Sequence, residues 1–153
     1  MSSQLQTEQP FIPYFQTTRY RVQAMVDLAH ILPGDMHADL GSGDGRILIA
    51  FAKAGALSHG YELNEELLEK AANDIKAADL PPSIVLHKKD FWQEDLSPYS
   101  IITVYGMPDI MDALRNKLNS ELKTGTRVLS NYYPVPGWTP EATKDAIYKY
   151  VIR

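Results

Sequence analysis

Eight residues, Asp39-Leu40-Gly41-Ser42-Gly43-Asp44-Gly45-Arg46, constrain the fold more than any other stretch of this chain. An alternating apolar run (Met36, Ala38, Leu40) leads into them, and a helical apolar pattern (Ile47, Leu48, Phe51, Ala52) leads out. Strand, glycine-rich turn and helix in that order make the first βα unit of an open α/β sheet, the place where such folds bind nucleotide-like ligands. Glycines let backbone approach a ligand, and the free N–H groups of the helix start point at the turn.

The details select among ligands. A dinucleotide turn needs a third glycine for close helix–strand packing, and Arg46 stands there instead. Asp39 ends the strand and Asp44 lies within the turn, two carboxylates that would repel a pyrophosphate. No Gly-Lys-Ser/Thr follows, which excludes a P-loop. A ligand with an amino group and a sulfonium but no phosphate suits these charges, and S-adenosylmethionine is such a ligand. Glu62 ends the next apolar stretch, 21 positions after Gly41, where an acid suits two ribose hydroxyls. Asp90-Phe91 follows Ile84-Val85-Leu86, offering an acceptor for an adenine amino group and an aromatic face for the base. Three acidic strand tips in succession are far more specific than any one of them.

A chain of 153 residues suits one domain. We read 1–10 as a loose polar tail and 11–153 as a single domain. Phe11 to Phe15 is too apolar for a tail and is expected to dock on that domain. Net charge is −4, which gives no global pull toward nucleic acid or anionic lipid, although a local basic patch stays open. Cysteine is absent, compatible with a reducing cytoplasm, and no apolar run reaches membrane-spanning length. The four histidines, His30, His37, His59 and His87, read as isolated and show no ligand spacing, so no metal site is expected.

Further elements follow from periodicity and punctuation. Thr17 or Thr18 caps a helix whose buried face carries Val22, Met25, Val26, Ala29 and Leu32, stopped by Pro33-Gly34. Tyr14 and Thr17 have two readings, as a lid over the ligand or as the packed lead-in to that helix. Asn64 caps a helix with Leu67, Leu68, Ala71, Ala72 and Ile75 buried. Ile101 to Tyr105 is a central strand, and Pro108 opens the next helix, which runs to Leu122. Arg127 to Tyr132 and Ala146 to Ile152 are the last strands, the final one antiparallel. Asn131-Tyr132-Tyr133-Pro134 has the look of an Asn-Pro-Pro-Tyr signature but follows strand five rather than strand four, so we set it aside. Lys88-Lys89 and Glu65-Glu66-Glu69 read as solvated surface.

Taken together, the chain resembles class I S-adenosylmethionine-dependent methyltransferases, which are Rossmann-like α/β proteins with a mainly parallel sheet, helices on both faces and an antiparallel last strand. Within that class it resembles the small protein-lysine methyltransferases of the archaeal broad-specificity type and of the mitochondrial ATP synthase subunit c and adenine nucleotide translocator type. The resemblance runs from about Pro13 to the end. It rests on Pro13-Tyr14, the 39–46 turn, Gly60-Tyr61-Glu62-Leu63-Asn64, Asp90-Phe91-Trp92, Val104-Tyr105-Gly106-Met107 and Pro134-Val135-Pro136-Gly137-Trp138-Thr139-Pro140. Two departures stand out: Phe15-Gln16-Thr17-Thr18 keeps only the threonine of a Pro-Thr-Pro-like segment, and the short region after Trp138 leads us to expect one strand of the usual seven to be missing or merged.

The resemblance implies methyl transfer to a lysine side chain of a protein substrate, without a metal, in the cytoplasm. Asp39, Gly41, Ser42 and Gly43 would hold the methionine end, Glu62 and Leu63 the ribose side, Asp90 and Phe91 the adenine, and Thr17 the lid. Tyr105, Tyr14 and Trp138 would form the catalytic pocket. Transfer to RNA or a small molecule, and a non-catalytic S-adenosylmethionine-binding module, remain open alternatives; a dehydrogenase is opposed by Arg46 and Asp39.

Overall fold

The computed structural model describes residues 17–153. Its elements run α1 (Arg19–Ala29), β1 (Met36–Leu40), α2 (Arg46–Lys53), β2 (Leu57–Tyr61), α3 (Glu65–Ala78), β3 (Ile84–His87), a 3₁₀ turn (Phe91–Gln93), β4 (Ile101–Val104), α4 (Met111–Glu121), β5 (Arg127–Asn131), β6 (Ala142–Lys144) and β7 (Ile147–Val151). The seven strands form one sheet in the order β3-β2-β1-β4-β5-β7-β6. Strands β1 to β5 are parallel; β7 runs antiparallel to β5, and β6 pairs antiparallel with β7. The tail at 1–10, the docking of Phe11 to Phe15 and the position of Tyr14 lie outside the described residues.

Alternation sorts the core onto two faces. Ile101 and Leu129 join Val22, Met25, Ile47 and Phe51 under α1 and α2. Their neighbours Ile102 and Val128 join Leu114, Leu118, Leu96 and Tyr150 under α4. Because β4 is buried on both faces, it reads as an apolar run with one polar interruption, Thr103.

Several expectations need correction. The sheet has all seven strands: β6, which the short C-terminal region had seemed to leave out, pairs with β7 through Asp145 and Ala146, both in the left-handed region at φ 50° and 63°. Thr18 caps α1, but the helix stops at Ala29 with His30 left-handed, ahead of Pro33-Gly34, so Leu32 is exposed. Ala72 faces solvent, because only a narrow stripe around the buried Ala71 packs inward. Pro108 lies in a turn before α4 instead of in its first turn, and Met107 O accepts from Ile110 N there. His59 and His87 are not isolated: their ring nitrogens lie 2.9 Å apart, and His87 stacks on Tyr61. No group of three metal-ligating side chains occurs among the described residues.

Candidate active site

The parallel strands all end on one side of the sheet, and the candidate residues collect there. Leu40 pairs with Tyr61 on β2 and with Val104 on β4, so Gly41, Glu62 and Tyr105 leave neighbouring strands at one level. The turn is stitched to β2: Gly41 N and Ser42 N both donate to Tyr61 O, and Gly45 N donates to Ser42 O. Gly60 makes this closeness possible. A Cβ there would fall 2.5 Å from Leu48 and 2.6 Å from Ser42 Oγ. Gly41 is different: its φ is +80° and, among the described residues, a Cβ there would meet nothing within 4 Å.

Glu62 ties the second tip to the turn. Its Oε1 accepts from Gly43 N at 2.8 Å, and its Oε2 accepts from Leu63 N and Asn64 N, each at 3.0 Å. The carboxylate is thus fixed, with acceptor capacity to spare (a carboxylate offers about four lone-pair sites). Leu63 beside it is exposed, an apolar surface at the rim. At the third tip Asp90 accepts from Trp92 N and so caps the 3₁₀ turn. The Phe91 ring is buried, 4.8 Å from that of Trp92.

Asp39 is buried at the end of β1, where Thr103 Oγ1 donates to its Oδ1 at 2.8 Å. Among the described residues its Oδ2 has no partner, and neither has the buried Ser42 Oγ. Burial, with Glu62 and Asp44 nearby, pushes the Asp39 carboxyl up to about 7, against the Thr103 bond, which favours the ionised form. Two buried oxygens without partners among the described residues, on either side of the exposed Gly41 in the chain, match a group bearing several N–H donors, such as an ammonium. Asp44, by contrast, is not open to a ligand. Arg46 Nη2 binds its Oδ2 at 2.5 Å, and Arg46 Nη1 also donates to Thr17 O. Only Asp39 therefore carries the charge argument that the sequence placed on both carboxylates.

On the other side of β1, the tips of β4 and β5 carry aromatics. Tyr105 lies 6.3 Å from Tyr133, ring to ring, and Tyr133 lies 5.0 Å edge-on to Tyr132. Arg21 sits over the Tyr132 ring at 5.2 Å. Thr17 is buried, and its Oγ1 accepts from Asn131 Nδ2 at 2.9 Å, joining the lead-in of α1 to the end of β5. Burial raises the Tyr105 phenol, so it stays protonated at neutral pH. Trp138 is half-buried, edge-on to Tyr150 at 5.4 Å, in a loop held by Tyr150 Oη accepting from Val135 N.

Tyr132, Tyr133, Asn131 and Arg21 were not among the predicted site residues. The signal for the first three was the Asn131-Tyr132-Tyr133-Pro134 tetrad that we set aside for following the wrong strand; Arg21 had none. Thr103 and His37 were also passed over, and the only trace of Thr103 is a lone polar residue inside the apolar run of β4.

Comparison with known proteins places the chain in context. A profile described as the ANTKMT methyltransferase domain matches residues 39–142. A protein-lysine N-methyltransferase of Saccharolobus islandicus is 31% identical, the match covering 94% of this chain and 95% of that one. The adenine nucleotide translocase lysine N-methyltransferase of Mus musculus is 36% identical over 91% of this chain, and this chain spans only 62% of its length. Among solved structures, an RNA methyltransferase from Salinibacter ruber in complex with S-adenosyl-L-homocysteine superposes with a TM-score of 0.85 at 31% identity, over 90% of this chain and 94% of that one.

Proposed function

We propose, since the chain belongs to the family of the ANTKMT methyltransferase domain, that it is an S-adenosylmethionine-dependent methyltransferase acting on lysine side chains of proteins. The observation that carries the reading is the pair of buried oxygens without a partner among the described residues, Asp39 Oδ2 and Ser42 Oγ, on either side of the exposed Gly41. S-adenosylmethionine, when bound, supplies a methyl group already activated on a sulfonium. The protein's task is then alignment and exclusion of water.

Asp39 and Ser42 receive the ammonium at the methionine end. Glu62, held by three backbone N–H groups, offers its remaining lone pairs to the ribose, with Leu63 as an apolar rest. Asp90 would accept from the adenine amino group, and Phe91 would lie against the base. A lysine amine has an ordinary pKa near 10.4 and must shed its proton before it attacks. The protonated Tyr105 is a poor base, so its hydroxyl orients the amine by accepting from it, while the aromatic wall of Tyr105 and Tyr133 disfavours the charged amine by desolvation. The lost proton goes to solvent. Thr17 and Trp138 would close the pocket in this reading, with Tyr14, outside the described residues, assigned there by the sequence resemblance alone; a cytoplasmic location, which a cysteine-free sequence suits, belongs to it.

A second reading is transfer to RNA, favoured by the Salinibacter ruber relative. The net charge of −4 weighs against a polyanion. Incubation with methyl-labelled S-adenosylmethionine and a cell extract, followed by separate protease and nuclease digestion, separates the two. Methyl-lysine in the hydrolysed protein fraction supports the proposal. Label confined to nuclease-sensitive material overturns it in favour of RNA.

A further inference from the structure

A buried polar chain crosses β2, β1 and β4 behind the candidate site. Ser58 Oγ lies 3.0 Å from His37 Nδ1, and His37 Nε2 lies 2.8 Å from Thr103 Oγ1, which donates to Asp39 Oδ1 at 2.8 Å. Strand register builds it: Ser58 stands opposite His37, and Thr103 opposite Asp39. Ser58, His37 and Thr103 are 0% exposed and Asp39 2%. The His37 ring stacks on Phe51 of α2 at 4.0 Å. Burial drives its pKa down to about 3, so the imidazole is neutral at any working pH.

Donor counting orients the chain. A neutral imidazole carries one N–H, and a threonine hydroxyl one hydrogen. The Thr103 hydrogen goes to Asp39, so Thr103 must accept from His37. The imidazole proton is then on Nε2, and Nδ1 accepts from the Ser58 hydroxyl. A protonated Asp39 no longer needs the Thr103 hydrogen, and the chain is free to reverse, with Nδ1–H donating to Ser58.

We propose that His37 is a positioning residue for Asp39: its Nε2–H commits the Thr103 hydrogen to Oδ1, holds the carboxylate ionised in one orientation, and leaves Oδ2 as the atom that receives an ammonium. The last clause rests on the cofactor reading above; the chain itself does not. Among the described residues, the ionisable groups facing the chain are His59 on β2, toward His37, and Glu62 and Asp44 at the loop end, toward Asp39. From β4 and α2 it meets Thr103 and Phe51, which do not titrate.

The test uses the full chain and S-adenosylhomocysteine. Nitrogen-15 NMR of the unliganded protein at pH 8 should show His37 as the Nε2–H tautomer, shifting toward Nδ1–H as pH falls through the Asp39 titration. His37→Phe keeps the stack on Phe51 but has no donor. It should weaken S-adenosylhomocysteine binding about fivefold to tenfold, the scale of one net hydrogen bond, and raise the pH of half-maximal affinity. His37→Gln, which can place a nitrogen donor near Nε2, should recover most of the loss. In a Thr103→Val background, His37→Phe should cost nothing further. An Nδ1–H tautomer at pH 8, unchanged affinity in His37→Phe, or additive losses would overturn the proposal. If His37→Phe does not fold, the tautomer and a Thr103→Val against Thr103→Ser comparison decide instead, with Ser binding normally and Val weakly if the chain acts as argued. Wild-type protein that binds no S-adenosylhomocysteine would sink the cofactor reading, while the tautomer's pH response, which needs no ligand, still decides the role of His37.

Discussion

The two ends of the candidate site are built differently. At the β1–β2 end, strand register and backbone hydrogen bonds hold the second tip and the turn: Glu62 is held by three N–H donors, and the turn by Tyr61 O. At the β4–β5 end the walls are aromatic side chains on loops, held by ring contacts and by the Thr17–Asn131 bond. A ligand common to a large fold class can be met by backbone, which changes little with sequence. An acceptor particular to one enzyme must be met by side chains on segments free to vary. Substitutions at the first end should therefore change binding of the methyl donor, and those at the second should change turnover with the donor affinity intact.

Glu62→Ala tests this division with the largest expected effect. It removes the acceptor for the ribose and releases Gly43 N from the second strand tip. Charged hydrogen bonds contribute about 1.5–3 kcal/mol each, so S-adenosylhomocysteine affinity measured by calorimetry should fall about 100-fold. A variant that binds normally would remove the ribose assignment and with it half of the comparison.

Asp39→Asn should show opposite signs in two measurements. In the unliganded protein the Asp39 carboxyl is raised to about 7 from an ordinary value of 3.8. The folded state therefore holds a proton that the unfolded state has lost, and stability falls as pH rises across that interval. Asn carries no charge, so at pH 8 the unliganded variant should be more stable than wild type, by about 1–3 kcal/mol, the scale of an incompletely satisfied buried group. Its S-adenosylhomocysteine affinity should nevertheless drop at least about tenfold, as expected when a charge-assisted contact is lost. Loss of both stability and affinity would mean that Asp39 is structural.

The same division explains what the sequence disclosed. The 39–46 turn, the acidic tips Glu62 and Asp90, and strands β1 to β5 are legible because alternating or continuous apolar runs and glycine positions are local signals. Strand β6 is not: three residues, mostly solvent-facing, join β7 through Asp145-Ala146 in left-handed conformations that hairpins usually mark with glycine. Without the glycine there was no turn to see. Asp44 misled because its partner Arg46, two residues on, was read only as a missing glycine. The Tyr105–Tyr133–Tyr132 wall depends on two loops meeting after β4 and β5, and no spacing along the chain encodes that meeting.

At the acceptor end, Tyr105→Phe removes one hydroxyl and little volume. Turnover should fall about tenfold, near one hydrogen bond's worth, with S-adenosylhomocysteine affinity within twofold of wild type. The pH profiles should separate as well. Donor affinity should rise with pH and level off above about 7, as Asp39 completes its ionisation. Turnover should keep climbing beyond that point, because the lysine amine, ordinarily near 10.4, is still being deprotonated. Coincident profiles would mean that a single group governs both ends.

Tyr132 gives the smallest effect on stability and the sharpest test of purpose. It follows β5 with φ at 77°, left-handed backbone that a bulky residue adopts only under constraint, at about 1–3 kcal/mol. Its N–H donates to Ala146 O, anchoring the strain to the C-terminal hairpin. Tyr132→Gly removes the strain but also the edge-on contact with Tyr133 and the Arg21 contact, each about 0.5–1.5 kcal/mol. These terms oppose one another, so unfolding free energy should change by less than about 1 kcal/mol. If the ring is held there to wall the acceptor, turnover should fall severalfold while stability and donor affinity stay level. Unchanged turnover would make Tyr132 part of the hairpin's packing alone and move the acceptor wall inward to Tyr105 and Tyr133.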